Sequence, residues 1–335
     1  MEPASLLREA RETSWRVFGR KILFFLPGMF RIDGVSGGTR ALSITGERCA
    51  LQCDHCRGRL LASMRSAATP EELVRECLSL AADGGRSVLI SGGCDGAGRL
   101  PWGRFASAIR KVKEETGLFV AVHSGLVDEP TARALKATGA DQALIDVVGD
   151  DRTLRDVCHL EGGVQAIACS LGALRKAGLD LVPHVVCGLH FGTFRGEERA
   201  LEMIEASRPS QVVFCGLMGL PGTPAEGWPP PPAERVAELI ARARLALPAT
   251  PLSLGCARQR GNRRMELLAI DAGVNRMALP SEEAVDHARA YGLEIRYQGT
   301  CCSLPERASI DEFPLPVHGG EGQGEGEQEP IHPSS

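Results

Sequence analysis

Short apolar or β-branched runs alternate with amphipathic segments along most of the chain. Eight runs predict strands at residues 41–45, 87–91, 118–122, 142–147, 181–187, 211–216, 251–254 and 274–278. The segments between the runs predict helices, and several of them end in glycine, as the C-termini of helices often do. Eight strands alternating with helices predict an α/β fold with a parallel sheet and favour a (βα)8 TIM-type barrel. A doubly wound open sheet is the alternative.

Composition divides the chain into three parts. We expect residues 1–40 to form an N-terminal helix and a lead-in strand. Residues 41–305 should form the barrel with a C-terminal extension that binds a cluster. Residues 306–335 are rich in Gly, Glu, Gln and Pro and have too little apolar content to fold, which predicts a disordered tail.

Overall composition predicts a soluble globular protein. Of the 335 residues, 43% are hydrophobic and 24% are charged, and the net charge is −4. This charge gives no reason to expect nucleic-acid binding, and no apolar run is long enough to span a membrane. Twelve cysteines without a recognisable signal peptide indicate a reducing cytoplasm, where thiols bind metals or do chemistry.

Three closely spaced cysteines follow the first predicted strand. Cys49, Cys53 and Cys56 have the spacing C-x3-C-x2-C. A structural zinc site needs a fourth nitrogen or sulfur ligand, and His55 is the direct neighbour of Cys56, so the two cannot easily share one ion. Three thiolates instead leave one iron of a [4Fe–4S] cluster open for a substrate.

Other polar residues also follow predicted strands, where a barrel carries its functional groups. These residues are Ser91, Gly92, Gly93, Cys94, His123, Asp146, His184, His190, Cys256 and Arg258. Each histidine alone is more typical of a hydrogen-bonded wall residue than of a metal ligand. Asp146 fits a loop carboxylate or a helix N-cap as well as it fits a ligand contact.

The remaining cysteines fall into two groups. Cys77, Cys158 and Cys169 lie on predicted helical segments, and together with Cys215 they are interpreted as ordinary core thiols. A second cluster could be bound by some of Cys94, Cys256, Cys301 and Cys302. Scattered structural thiols are the alternative interpretation of these four.

The triad and the Gly92-Gly93 turn resemble the radical S-adenosylmethionine (SAM) superfamily. This resemblance implies that the loop thiols, defined here as Cys49, Cys53 and Cys56, hold a [4Fe–4S] cluster whose open iron binds SAM. One electron then cleaves SAM to methionine and a 5′-deoxyadenosyl radical. The resemblance also implies that Ser91, Gly92 and Gly93 receive the SAM amino group and that Asp146 contacts the ribose or the substrate. No side chain is then needed as a catalytic acid or base, because the cofactors carry the chemistry.

The stretch Leu252–Arg258, followed by Asp271–Asn275, is similar to biotin synthases. There an arginine on this strand ligates a second, sulfur-donating cluster, which implies the same role for Arg258. The chain departs from that family where cysteines are expected, because His123 and His184 stand at those positions.

The ending Gly299–Ser303 and the run Ser91–Asp95 resemble a two-protein radical SAM system that makes lipoyl cofactor. This implies sulfur insertion at C8 of an octanoyl chain on a lipoyl-domain protein, with a partner radical SAM synthase. A flavodoxin or ferredoxin would supply the electrons. Another biotin-synthase-like enzyme (a biotin synthase, methyltransferase, mutase or metallocofactor maturase) is the alternative, and a non-catalytic metal-binding protein is a third hypothesis.

Overall fold

A computed structural model of the chain describes residues 2–27, 31–32 and 35–306. The predicted disordered tail lies outside the described residues except for Glu306. The α-helices of the described part are α1 Pro3–Phe18, α2 Pro70–Ala82, α3 Trp102–Glu115, α4 Glu129–Ala137, α5 Asp151–Asp156, α6 Gly163–Ala177, α7 Glu197–Ser207, α8 Ala233–Ala246, α9 Arg263–Asp271 and α10 Glu282–Ala290. The strands are β1 Lys21–Phe25, β2 Arg31–Ile32, β3 Val35–Ser36, β4 Thr39–Ser43, β5 Arg65–Ser66, β6 Ser87–Ser91, β7 Phe119–His123, β8 Gln142–Asp146, β9 Asp180–Cys187, β10 Val212–Gly216, β11 Leu252–Leu254, β12 Arg276–Ala278 and β13 Glu294–Gln298.

Eleven of these strands form one parallel sheet. Its order is β13-β1-β12-β11-β10-β9-β8-β7-β6-β4-β5, and β2 and β3 form a separate antiparallel pair. The predicted α/β fold with a parallel sheet is confirmed, and all eight predicted strands are present. The sequence missed β13 and β5 as strands, whereas β1 lies in the segment where a lead-in strand was expected.

The sheet curves into a half-barrel with helices on its outside. Its two edge strands, β13 and β5, are not paired with each other in the described residues. The amino end of β4 meets the end of β13 instead, because the Gly38 N–H donates to the Gly299 carbonyl at 2.6 Å. The Cys301 N–H also donates to Thr39 Oγ1 at 3.0 Å. We call this contact between the two ends of the sheet the seam.

Local sequence signals explain where the helices begin and end. Thr69 and Glu72 form a reciprocal capping box at the start of α2, which satisfies two free backbone N–H groups. Gly178 ends α6 with a left-handed φ of 75°, a conformation that glycine adopts without steric cost. The glycine signal in the sequence therefore marks a true helix end at this position.

The inside of the half-barrel holds a small apolar group that is separate from the main core between helices and sheet. This inner cluster consists of Leu23, Phe25, Ala121, Leu144, Val182, Val213, Cys215, Ala278 and Cys302. Strand side chains alternate between the two faces of a sheet. On β7, β8 and β9 the inward residue two positions further on is polar, in the pairs Ala121 and His123, Leu144 and Asp146, and Val182 and His184. On β10 the inward residue after Val213 is Cys215, itself a member of the inner cluster.

Candidate functional site

The loop 44–58 follows β4 and carries the loop thiols. Two neighbouring loops hold it through backbone hydrogen bonds. The Ala50 N–H donates to the Cys94 carbonyl at 2.7 Å, and the Asp54 N–H donates to the Val157 carbonyl at 2.8 Å. The loop is therefore fixed at the carboxyl end of the sheet, which is where a barrel carries its chemistry.

The thiols of Cys53 and Cys56 interact with each other, and both carry protons when no metal is bound. The Cys53 Sγ donates to the Cys158 carbonyl at 3.2 Å and also contacts the Cys56 thiol. The interaction with Cys158 and burial raise the pKa of Cys53 above its usual range. The hydrogen bond with Cys53 and burial raise the pKa of Cys56 to about 12. Metal binding must release these protons, and three soft sulfur donors on one loop fit an iron–sulfur cluster.

A second donor set shares Cys53. The ligand atoms of Cys53, His55 and Cys158 lie within 4.8 Å of one another. The Nδ1 atom of His55 is buried and has no hydrogen-bond partner in the described part of the chain. Cys158 therefore lies beside the loop thiols, whereas the sequence suggested an ordinary core thiol.

The turn after β6 packs directly on the cysteine loop. A Cβ added to Gly93 would lie 2.0 Å from the Arg48 carbonyl oxygen and 2.6 Å from the Cys49 Cα. The Gly93 N–H donates to Thr45 Oγ1 at 2.7 Å. Gly93 is therefore required for this close approach of two backbones. The expected contact of Ser91, Gly92 and Gly93 with SAM remains a prediction.

The substitution Gly93→Ala is expected to displace the cysteine loop, because the Arg48 and Cys49 backbone atoms have no flexible end that can move away. We expect reconstituted protein to lose most of the iron bound by the loop thiols, together with about 1–3 kcal/mol of stability. Iron analysis and urea denaturation measure the two effects. Gly96→Ala is the matched control, since nothing lies within 4 Å of an added Cβ there. Equal iron contents in the two variants would contradict this account.

Cys94 lies beside the loop thiols and not with the other predicted ligands of a second cluster. Its carbonyl accepts from Ala50, and the electrostatic neighbours of its thiol include Cys49 and Asp146. Burial, followed by the Cys49 charge, raises the pKa of Cys94 to about 12. The structure thus separates Cys94 from Cys256, Cys301 and Cys302.

Four other thiols meet inside the half-barrel. We call Cys215, Cys256, Cys301 and Cys302 the barrel thiols. Cys302 is hydrogen-bonded to both Cys256 and Cys301, and Cys215 interacts electrostatically with Cys256 and Cys301. The sequence interpretation missed Cys215. Its inward position, two residues after Val213 on β10, is the signal that could have identified it.

The barrel thiols lie in a cationic environment. Hydrogen bonds from Cys302 and Ser303, together with the charge of Arg276, lower the pKa of Cys301 to about 6. The hydrogen bond from Cys302 also lowers the pKa of Cys256. The Gln211 side chain donates to the Cys302 carbonyl at 2.7 Å and fixes the segment that carries these thiols. Thiolates in such a setting are the form that binds metal.

Arg258 is fully buried, and among the described residues its guanidinium group is bonded to protein groups and not to a thiol. Its Nη2 lies 2.6 Å from Glu266 Oε1, and it also donates to the Leu279 carbonyl at 2.9 Å. Its Nη1 donates to the Gly255 carbonyl at 2.5 Å. The implied role of Arg258 as a cluster ligand therefore remains a prediction that requires these bonds to break.

Two of the three rim histidines converge on Asp146. His123 Nε2 lies 3.6 Å from Asp146 Oδ1, and the ring centroids of His123 and His184 are 5.8 Å apart. His190 is placed elsewhere, since its Nδ1 lies 3.1 Å from Thr153 Oγ1. We call His123, Asp146 and His184 the His–Asp–His group.

Comparison with known proteins places this site in a family. A family model described as the radical SAM superfamily matches residues 43–205. The biotin synthase of Desulforudis audaxviator is 26% identical over 234 residues, which cover 68% of this chain and 70% of that protein. The biotin synthase of Acaryochloris marina is 23% identical over 275 residues, which cover 79% of this chain and 73% of that protein.

Solved structures show the same fold. Methylornithine synthase superposes with a TM-score of 0.59 and 20% identity, covering 84% of this chain and 79% of that one. The [FeFe]-hydrogenase maturase of Carboxydothermus hydrogenoformans superposes with a TM-score of 0.59 and 16% identity, covering 87% of this chain and 71% of that one. At these identities the likeness extends to the fold alone.

The matched region begins at the end of β4 and includes the whole cysteine loop and the turn after β6. Residues 43–205, which carry the loop thiols, therefore form a radical SAM domain, and the parallel sheet agrees with the α/β fold of that superfamily. The two relatives named above are both biotin synthases, at 26% and 23% identity. A radical SAM domain implies a [4Fe–4S] cluster, SAM and a source of electrons.

The helices of residues 2–27, 31–32 and 35–306 are too short or too polar to cross a bilayer.

Proposed function

We propose that this enzyme inserts sulfur into an unactivated C–H bond with the help of two iron–sulfur clusters. The observation that carries the proposal is that two groups of thiols share the half-barrel. Asp146 is an electrostatic neighbour of both groups, since it acts on His55 of the cysteine loop and on Cys215 of the barrel thiols. A site that generates a radical and a site that donates sulfur need this proximity.

The barrel thiols fit a second cluster. Four cysteine sulfurs are the ligand set that a [2Fe–2S] or [4Fe–4S] cluster requires. Arg276 offsets the negative charge of thiolates, since it is an electrostatic neighbour of both Cys301 and Cys302. When bound, the first cluster with SAM supplies hydrogen abstraction from carbon, and the second supplies sulfide for the new C–S bond.

The chain itself supplies placement and exclusion of water. Gly93 lets the turn after β6 fix the loop thiols, and the bond from Gln211 to the Cys302 carbonyl fixes the barrel thiols. The inward-facing polar side chains of the His–Asp–His group lie next to the inner cluster. Leu144 and Val182 of that cluster are at most 2% exposed and close the space on this side. A fixed, largely dry cavity protects a reactive carbon from water.

For the substrate, we propose C8 of an octanoyl chain carried by a lipoyl-domain protein. The motifs that resemble the lipoyl-forming system, Ser91–Asp95 and Gly299–Ser303, support this choice. A partner radical SAM synthase would complete the lipoyl group, and a flavodoxin or ferredoxin would provide electrons. The names of the relatives support biotin formation as the second candidate.

Anaerobic incubation with SAM, a low-potential reductant and an octanoylated lipoyl-domain peptide tests the proposal. We expect mass spectrometry to show the gain of one sulfur on the peptide, with 5′-deoxyadenosine formed. A parallel arm contains the sulfur-free precursor of biotin. Sulfur gain in that arm alone would replace the octanoyl assignment, and 5′-deoxyadenosine without sulfur gain in either arm would overturn sulfur insertion into these substrates.

A further inference from the structure

Apart from the contact with SAM or substrate implied for Asp146, sulfur insertion gives no role to the His–Asp–His group. Its three residues end three adjacent strands or lie close to their ends, on β7, β8 and β9. Their side chains point inward, each two positions beyond a member of the inner cluster. None is a thiol, so none belongs to the loop thiols or the barrel thiols.

The donor atoms are close enough to share one ion. One ligand atom from each of His123, Asp146 and His184 lies within 4.8 Å of the other two. Ligands about 2.1 Å from a single ion stand about 3.0–3.4 Å apart. The separation of 3.6 Å between His123 Nε2 and Asp146 Oδ1 is already near this range.

The hydrogen bonding of the group within the described residues also leaves one buried nitrogen atom free to bind an ion. The Nδ1 atom of His184 is buried and has no hydrogen-bond partner in the described part of the chain. The Asp146 side chain is 53% exposed, so an ion can reach the group from the cavity.

The competing account is an ion pair without metal. Burial opposes a charge on His123, but the Asp146 carboxylate outweighs it and raises the pKa of His123. An ion pair of His123 and Asp146 gives no role to His184, which is the third donor of the group. A metal ion uses all three residues.

We propose that His123, Asp146 and His184 bind one divalent first-row transition ion inside the half-barrel. Two histidines and one carboxylate are the ligands of a mononuclear site that keeps open coordination positions. Such open positions would accept an oxygen or nitrogen donor of a substrate. The proposal is independent of sulfur insertion, since it requires no sulfide.

Manganese binding to the anaerobically reconstituted holoprotein tests this site. Loosely held ions are first removed with EDTA, and iron and acid-labile sulfide are counted before and after that step. Mn²⁺ is then titrated, and the loss of the six-line EPR signal of the free ion reports binding. We expect one Mn²⁺ per chain, with iron and sulfide contents unchanged.

Substitutions identify the ligands. Asp146→Asn and His184→Gln are expected to weaken Mn²⁺ binding more than about 10-fold, because each removes a direct donor. His190→Gln is the matched control, since this rim histidine contacts Thr153 and lies outside the group. Wild-type protein that binds no Mn²⁺ would establish the ion pair alone and overturn the proposal. Equal binding by wild type and Asp146→Asn would overturn it as well.

Discussion

Replacing Cys53 with serine is expected to abolish SAM cleavage. Cys53 is the central loop thiol and is hydrogen-bonded to both Cys56 and the Cys158 carbonyl. Loss of an outer partner of a metal ligand typically costs about 10–100-fold in affinity or activity, and loss of a direct ligand should cost more. We expect 5′-deoxyadenosine formation to fall by more than about 100-fold, with the iron of this site lost. Chromatography of the anaerobic reaction measures the nucleoside.

Cys169→Ser is the matched control for this change. Cys169 is exposed on α6, where its thiol contacts Gln165 at 3.4 Å. This variant should keep its iron and its activity. Undiminished 5′-deoxyadenosine formation by the Cys53 variant would remove the loop thiols as the site of SAM cleavage.

Replacing both Cys301 and Cys302 with alanine should separate SAM cleavage from sulfur insertion. The two residues are joined to Cys256 through hydrogen bonds, and alanine removes two of the four barrel thiols. We expect iron to fall from about eight to about four atoms per chain, as one [4Fe–4S] cluster is lost. The loop thiols should still support 5′-deoxyadenosine formation, while the sulfur-containing product disappears.

Two further variants test whether the barrel thiols are the ligands of the lost iron. Cys215→Ala tests the thiol that the structure adds to the set, and we expect it to reduce the iron of the second site. Cys77→Ala is the control for the loss of a buried thiol, since Cys77 lies on α2 in the main core. Thermal unfolding should accompany each measurement, because Cys302 is buried in the inner cluster. An unchanged iron content in the double variant would exclude the barrel thiols as a cluster site.

Much of the fold follows from the sequence because each predicted strand is a short apolar run bounded by turn signals. β6 was predicted at its exact bounds, residues 87–91, and the boundaries of the other seven differ by at most two residues. β13 was missed because its run, Glu294–Gln298, alternates charged and apolar residues at the edge of the sheet. Edge strands often carry charges, so their pattern is weaker than that of a buried strand.

The composition of the site was harder to predict than its location. Spacing was enough to single out the loop thiols, since they are close in sequence. Cys215 and Cys302 are far apart in sequence, and they meet only because β10 and the segment after β13 both face the inside of the curved sheet. The same reason explains why His123, Asp146 and His184 could be placed on the rim one by one but not recognised as a group.

The seam has a consequence for the order in which the two sites are assembled. The bond between Gly38 and Gly299 and the bond between Thr39 and Cys301 join the two ends of the folded domain. Contacts between residues so distant along the chain close a very long loop. Closing that loop reduces the conformational entropy of the chain, which opposes the formation of these contacts. During synthesis of the polypeptide the loop thiols are therefore available early. Cys301 and Cys302 reach their positions only when the whole domain has been synthesised. If the barrel thiols bind a cluster as proposed, we expect iron delivery to that site to follow closure of the seam.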